Sequence, residues 1–325
     1  MGKREKHKNK AGNYWLKWVF WRDFLTNVVY PWIRLMRLSN LLTVAGDTMA
    51  GAFLTSLLTR LDVPLPRLLD VIFSSILFYT FGMVQNDICD FEEDRRHRPE
   101  RPLASGEISQ NAAIICSVLL LVMGLLLSYL NGRIVFFVAV VLCCMISVYN
   151  LMLKSHPMRG AVCMGLCRSL NMLMGASLLP LSFPVLVPIV AEGCFIMLVT
   201  QLSFTEHRPT HVRISALNII SPIAIGWLGI IPFAAFHCKA SSIVFSFLCV
   251  AAALAAAFFS VRHLYNRTIS PERMQHCIGA LLGCLIPWQA SLILLFTRHH
   301  HGWLCTGMLL AWGLYLLLGK KIHQS

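Results

Sequence analysis

The sequence predicts an all-α fold, a polytopic membrane helical bundle of about nine or ten transmembrane helices, from three observations. Of 325 residues, 57% are hydrophobic and only 13% charged, far from the balance of a soluble domain. The apolar residues fall into runs long enough to cross a bilayer as helices. No run alternates polar and apolar residues as a lipid-facing barrel strand does, so each spanning element must satisfy its own backbone hydrogen bonds.

Taken in order, residues 1–30 form a basic, aromatic-rich tail. Its stretch Tyr14-Trp15-Leu16-Lys17-Trp18-Val19-Phe20-Trp21 fits an interfacial anchor in the cytoplasmic headgroup layer, and a flexible tail is the competing reading. No small-residue cleavage site follows, which argues against a cleavable signal peptide. Ten apolar runs come next, near residues 33–57, 68–88, 111–130, 133–152, 158–180, 184–203, 214–236, 241–261, 277–297 and 303–319, the last one short. No linker divides them, so residues 31–319 read as one bundle, followed by a short basic tail at 320–325.

Lysine and arginine set the orientation. With the N-terminus inside, 22 of the 28 fall on the cytoplasmic side, which also favours an even number of spans. The expected location is a bacterial inner (cytoplasmic) membrane, crossed many times, with the functional face toward the cytoplasm. The net charge of +13 is then mostly topology. Because the basic residues are spread over short inter-helix loops without stacking aromatics, no nucleic-acid partner is expected. Twelve cysteines include no CxxC pair and mostly lie in apolar runs, so neither disulfides nor zinc are expected. The triplet His299-His300-His301 reads as a solvated polar loop.

Chemistry concentrates between Asn86 and Gly106, where six acids and several arginines abut an apolar run. Ionisable groups at membrane depth are expensive to keep and mark function by default. Asn86, Asp90 and Asp94 recur every fourth residue, so on a helix their oxygens lie on nearly one face and can converge on a hard cation. Arg98 and Arg101, each followed by a proline, suit a loop folded over an anionic ligand. Singly, each residue also fits an ordinary helix end or cap. The joint pattern favours a metal-diphosphate pocket.

The string Asn86-Asp87-x-x-Asp90-x-x-x-Asp94, with Arg98-Pro99-x-Arg101-Pro102-Leu103-x-x-Gly106, resembles the first aspartate-rich motif of the UbiA superfamily of intramembrane prenyltransferases. The likeness extends to Arg37-Leu38-Ser39-Asn40, to Tyr149-Asn150 with Lys154, and to Met164 through Asn171 with Gly175; these segments look most like the EboC-type branch. The resemblance implies that Asn86, Asp90 and Asp94 are catalytic and hold Mg²⁺ against the diphosphate of an isoprenyl donor. It makes Arg98, Arg101, Tyr149 and Lys154 contacts of that diphosphate, although Lys154 alone also reads as a topology-setting lysine.

Arg168 lies about ten residues into the fifth run, where an unpaired guanidinium costs several kcal/mol. A partner is implied, either an acidic residue or a bound anion; substrate binding and a structural ion pair both satisfy that need. Asn40 and Asn171 line the same cavity or make interhelical hydrogen bonds. The sixth run departs from the family. Where a second aspartate-rich motif is usual, this chain reads Thr200-Gln201-Leu202-Ser203-Phe204-Thr205-Glu206-His207-Arg208, leaving Glu206 as the fourth expected metal ligand.

The resemblance therefore implies a Mg²⁺-dependent membrane prenyltransferase that moves an isoprenyl group from its diphosphate to a lipid-soluble or aromatic acceptor of unidentified structure. Membrane lipid is the surrounding partner. The alternative is a non-catalytic member that binds or transports an isoprenoid-linked or other lipid metabolite.

Overall fold

The computed structural model describes residues 21–22, 25–37, 41–204, 210–211, 215–264, 268–296, 307–310 and 312–313. The aromatic anchor other than Trp21, the His299–His301 loop, Asn40, Glu206 and most of the tenth apolar run lie outside the described residues.

A π-helical turn at Leu25–Val29 leads into α1, Tyr30–Met36. Arg37 stops it. Its backbone is left-handed (φ 45°) and its N–H caps the Arg34 carbonyl, so the first apolar run becomes two helices, α1 and α2, Leu41–Thr59. The second run is α3, Leu65–Cys89, continued by the short α4, Phe91–His97. Helices α5 (Gln110–Leu130) and α6 (Arg133–Val148) follow, and a π-helical turn at Tyr149–Leu153 closes α6. Pro157 opens α7, Pro157–Ala176, where its missing N–H costs nothing.

A 3₁₀ turn at Phe183–Val185 precedes α8, Leu186–Ser203. Ser215 caps α9, Ala216–Ala234, by accepting from the Asn218 N–H. Helix α10 is Ala240–Val261. The ninth run appears as α11, Pro271–Gly283, and α12, Leu285–Leu295. The break falls where Pro287 removes a hydrogen bond and crowds the carbonyl four residues back, at Gly283. Among the described residues the all-α expectation meets one small exception, a two-residue antiparallel ladder of β1, Thr210–His211, with β2, Thr268–Ile269.

Eight helical stretches of 19 to 25 residues are long and apolar enough to cross a membrane: Leu41–Thr59, Leu65–Cys89, Gln110–Leu130, Arg133–Leu153, Phe183–Ser203, Ala216–Ala234, Ala240–Val261 and Pro271–Leu295. Helix α7 has a spanning length of 20 residues but carries Arg159, Arg168, Ser169 and Asn171. With it the described residues hold nine long helical stretches. The protein is an integral membrane protein.

The chain groups into two compact units, a division the single-bundle expectation does not draw. One comprises residues 1–38 and 80–119, the other 39–79 and 120–325. In the second unit α7 packs against α8, α2 and α6, while α12 packs against α10 and α2. Glycine makes the α2–α7 crossing close: a Cβ on Gly175 would sit 2.0 Å from the Thr48 carbonyl oxygen, and one on Gly51 2.1 Å from that of Met172. Small residues let backbones approach where lipid offers no hydrophobic drive to associate.

Because the obstructing atoms are backbone, neither helix can yield by turning a side chain. Gly175→Val should destabilise the protein by about 1–3 kcal/mol, seen as a lower thermal midpoint in detergent, while Gly307→Ala, whose Cβ meets nothing within 4 Å, should leave it unchanged.

Candidate functional site

The motif residues belong to the first unit. Backbone bonds tie them into one ladder: the Asp90 N–H donates to the Asn86 carbonyl at 2.9 Å, Asp94 to Asp90 at 2.8 Å, and Arg98 to Asp94 at 2.8 Å. Helical spacing thus carries through the α3–α4 junction, eased only at Asp90 (φ −91°, ψ 3°). Asn86 and Asp90 are half-buried and Asp94 is buried.

Residues 98–109 fold back as a succession of turns. Gly106, with φ +82° and nothing within 4 Å of a Cβ position, takes a conformation that favours glycine. The return brings Arg101 Nη1 to 2.6 Å from Asp94 Oδ2 and 3.6 Å from Asp87 Oδ1. Arg37, from the end of α1, approaches the same Asp87 oxygen at 3.6 Å. Arg34 fastens the loop from its other side, donating to the Glu100 carbonyl and pairing with Glu107 at 3.2 Å.

Asp87 is buried between two guanidinium groups, yet sequence reasoning gave it no role. Its signal was available, an acid beside Asn86 inside the motif, but the four-residue spacing drew attention to the other face. Among the described residues no three His, Cys, Asp or Glu side chains are grouped to hold a metal. The strip nevertheless has the right donor chemistry, hard amide and carboxylate oxygens at one helix end, with Asp94 engaged by Arg101 in this state.

The remaining expected residues lie in the second unit. The Lys154 N–H donates to the Tyr149 carbonyl at 2.9 Å, closing the π turn after α6, and both side chains are half-buried. Such turns recur at functional sites. Arg168 and Asn171 enter a different constellation, one the sequence reading left largely unnamed. Arg168 Nη2 lies 2.9 Å from Asp47 Oδ1 on α2 and 3.5 Å from Glu192 Oε1 on α8. Asn171 Nδ2 donates to Asp47 Oδ2 at 2.8 Å and accepts from Ser75 at Oδ1. Gln289 Nε2, from α12, reaches Asp47 Oδ1, the Thr43 carbonyl and Glu192 Oε1.

Asp47 and Glu192 were each visible as lone acids within apolar runs, and Arg168 called for such a partner; only the fold joins them. The described cysteines are free thiols. Cys238, between α9 and α10, is pushed up to about 11 by burial and donates to the Leu295 carbonyl, so it is not a nucleophile near neutral pH.

An acid-rich helix end laced by arginines, on a predominantly helical membrane scaffold, defines a class of intramembrane proteins with a charged site at a helix end. Residues 48–208 match the UbiA prenyltransferase family, and the chain belongs to that family. It is 35% identical over 97 residues to digeranylgeranylglyceryl phosphate synthase of Methanocaldococcus jannaschii, covering 30% of this chain and 33% of the relative. Against the enzyme of the same name from Methanothrix thermoacetophila the identity is 30% over 145 residues, 44% of this chain and 52% of the relative. The chain thus spans a third to about half the length of these curated relatives. A solved UbiA homologue from Archaeoglobus fulgidus, bound to GPP and Mg²⁺, superposes with a TM-score of 0.57 at 16% identity, over 81% of this chain and 98% of the other. That likeness is one of fold.

The Arg101 pairings make a direct prediction. Arg101→Gln leaves Asp94 without its 2.6 Å partner and should lower stability by about 1–3 kcal/mol, discounted for the partial exposure of Arg101. Adding Asp94→Asn should recover part of the loss, and a double-mutant cycle of thermal midpoints reads the coupling.

Proposed function

We propose that this protein is a Mg²⁺-dependent membrane prenyltransferase, transferring an isoprenyl group from an isoprenyl diphosphate to a lipid-soluble or aromatic acceptor. The observation that carries the reading is the Asn86, Asp90 and Asp94 ladder with Arg101 folded back onto it. The names of the family's synthases, and the GPP and Mg²⁺ of the Archaeoglobus homologue, support it. We place the site on the cytoplasmic face of the cytoplasmic membrane, on the strength of the 22 of 28 basic residues assigned there.

Asn86, Asp90 and Asp94, with Glu206, would hold Mg²⁺. When bound, it neutralises charge developing on a departing diphosphate. The chain's own part begins with binding: Arg98 and Arg101, with Tyr149 and Lys154, take the diphosphate oxygens by charge-assisted hydrogen bonds. For Arg101 this means exchanging Asp94 for the donor's anion, which frees the carboxylate as the donor arrives. The allylic C–O bond breaks, diphosphate leaves with the bonding electrons, and the acceptor's nucleophilic atom forms the new bond to carbon while releasing a proton. Closure of the 98–109 loop excludes the water that would otherwise compete as acceptor.

A second reading, a non-catalytic member that binds or transports an isoprenoid-linked lipid, is favoured by one observation: Thr200 to Arg208 holds a single acid, Glu206, where a second motif is usual.

Asp90→Asn separates the two readings. In an enzyme it should reduce transfer at least ~100-fold while leaving the protein folded, because it removes a ligand charge without opening a core cavity. The assay supplies Mg²⁺, radiolabelled isoprenyl diphosphates of several lengths and a membrane extract as acceptor source. Absence of labelled lipid with the unaltered protein, despite demonstrated donor binding, would establish the second reading. Glu206→Gln should weaken Mg²⁺-dependent diphosphate binding several-fold with an unchanged thermal midpoint; equal binding across a magnesium titration would remove Glu206 from the site.

A further inference from the structure

The buried constellation of α2, α7, α8 and α12 has an arithmetic that the ion pairs do not close. Two acids, Asp47 and Glu192, share one cation, Arg168, and the side chains of both acids are 0% exposed. Ionised together they leave one uncompensated negative charge within apolar helices, where ionisable groups are kept only if neutralised.

The hydrogen bonds show where the imbalance falls. Asp47 has both oxygens occupied, Oδ1 by Arg168 and Gln289 and Oδ2 by Asn171 at 2.8 Å. Glu192 shares only Oε1, at 3.5 Å from Arg168 and 3.3 Å from Gln289, while its Oε2 is buried without a partner. Gln289 is itself fully buried, and its Oε1 likewise has no donor. That oxygen belongs to the amide whose Nε2 already touches Glu192, so an unmet acceptor stands on the group facing the unmet carboxyl. A proton on Glu192 removes the surplus charge and turns one of the two orphaned acceptors into a donor for the other.

We propose that this cluster is a binding site for one exchangeable proton, carried on Glu192 Oε2 and shared with Gln289 Oε1. Release of the proton sets two carboxylates against a single guanidinium and loosens α8 from α2 and α12; uptake tightens them. The groups facing Glu192 are few. Asp47 is the one charged residue of α2, and α9 and α12 have no Asp, Glu, Lys, Arg or His. Helix α7 contributes Arg168, its Arg159 being exposed, and the Glu272, Arg273 and His276 of α11, which also packs on α8, are exposed as well.

The sign follows from linkage. The folded protein keeps a proton that an unfolded glutamate releases at acid pH, so stability is fully present at low pH and declines as pH rises through release. The experiment uses the full-length protein in detergent. Infrared spectra should show a protonated carboxyl C=O band in the unaltered protein, shifted in D₂O, bleached as pH rises, and absent in Glu192→Gln. The thermal midpoint of the unaltered protein should fall by several degrees over the same pH range, and that of Glu192→Gln should stay flat. If Glu192→Gln fails to fold, Asp47→Asn serves: with one acid left to one arginine, Glu192 ionises and the band disappears. No band in the unaltered protein, or a band that persists in both variants, overturns the proposal. So does a midpoint that rises with Na⁺ at fixed ionic strength without any carboxyl band, which would assign the compensating charge to a bound metal cation.

Discussion

The organisation of the larger unit turns on one constraint: a guanidinium placed halfway along a membrane-length helix must find its counter-charge inside the protein. Arg168 stands at that position on α7, and its partners come from α2 and α8, with Gln289 of α12 bridging them. Four helices far apart in sequence are thereby fixed in rotation about their axes, because Asp47, Arg168, Glu192 and Gln289 must all turn toward one another. Apolar packing cannot do this alone, since one leucine face in lipid is much like another. The close α2–α7 crossing at Gly51 and Gly175 belongs to the same constraint: a side chain reaching from one helix to its neighbour's carboxylate works best where the backbones nearly touch.

The smaller unit solves a different electrostatic problem. Its charged groups are numerous, close together in sequence and partly exposed, so no single pair dominates. Asp87 and Asp94 are buried by the return of the 98–109 loop, and Arg101 neutralises both from that loop. Arg37 and Arg34 do similar work from α1. An array of this kind is held together by ionic contacts that a competing anion or cation can replace, whereas the Arg168 cluster is enclosed and has nothing to exchange with except something very small.

How much of this was legible beforehand depended on whether the signal was local. Hydropathy located the long helices, since spanning length and apolarity are properties of a single segment. It missed the stops at Arg37 and Cys284, because one rests on a left-handed arginine and the other on a proline whose effect is felt four residues upstream. The Asn86, Asp90 and Asp94 face followed from helical period. The pairing of Asp87 with Arg37 did not, since it depends on the angle at which α1 meets the end of α3. Asp47 and Glu192 were conspicuous as acids in apolar surroundings, yet their joining by Arg168 required the packing of three helices, which no window of sequence contains.

The unbroken ladder through Asn86, Asp90, Asp94 and Arg98 also limits how the gene can change. One residue added or removed between Asn86 and Asp94 would rotate the later residues of the ladder by about 100° relative to the earlier ones, taking the three side chains off their shared face. Length variation among relatives should therefore be scarce between Asn86 and Arg98 even at positions where side-chain identity is free to drift.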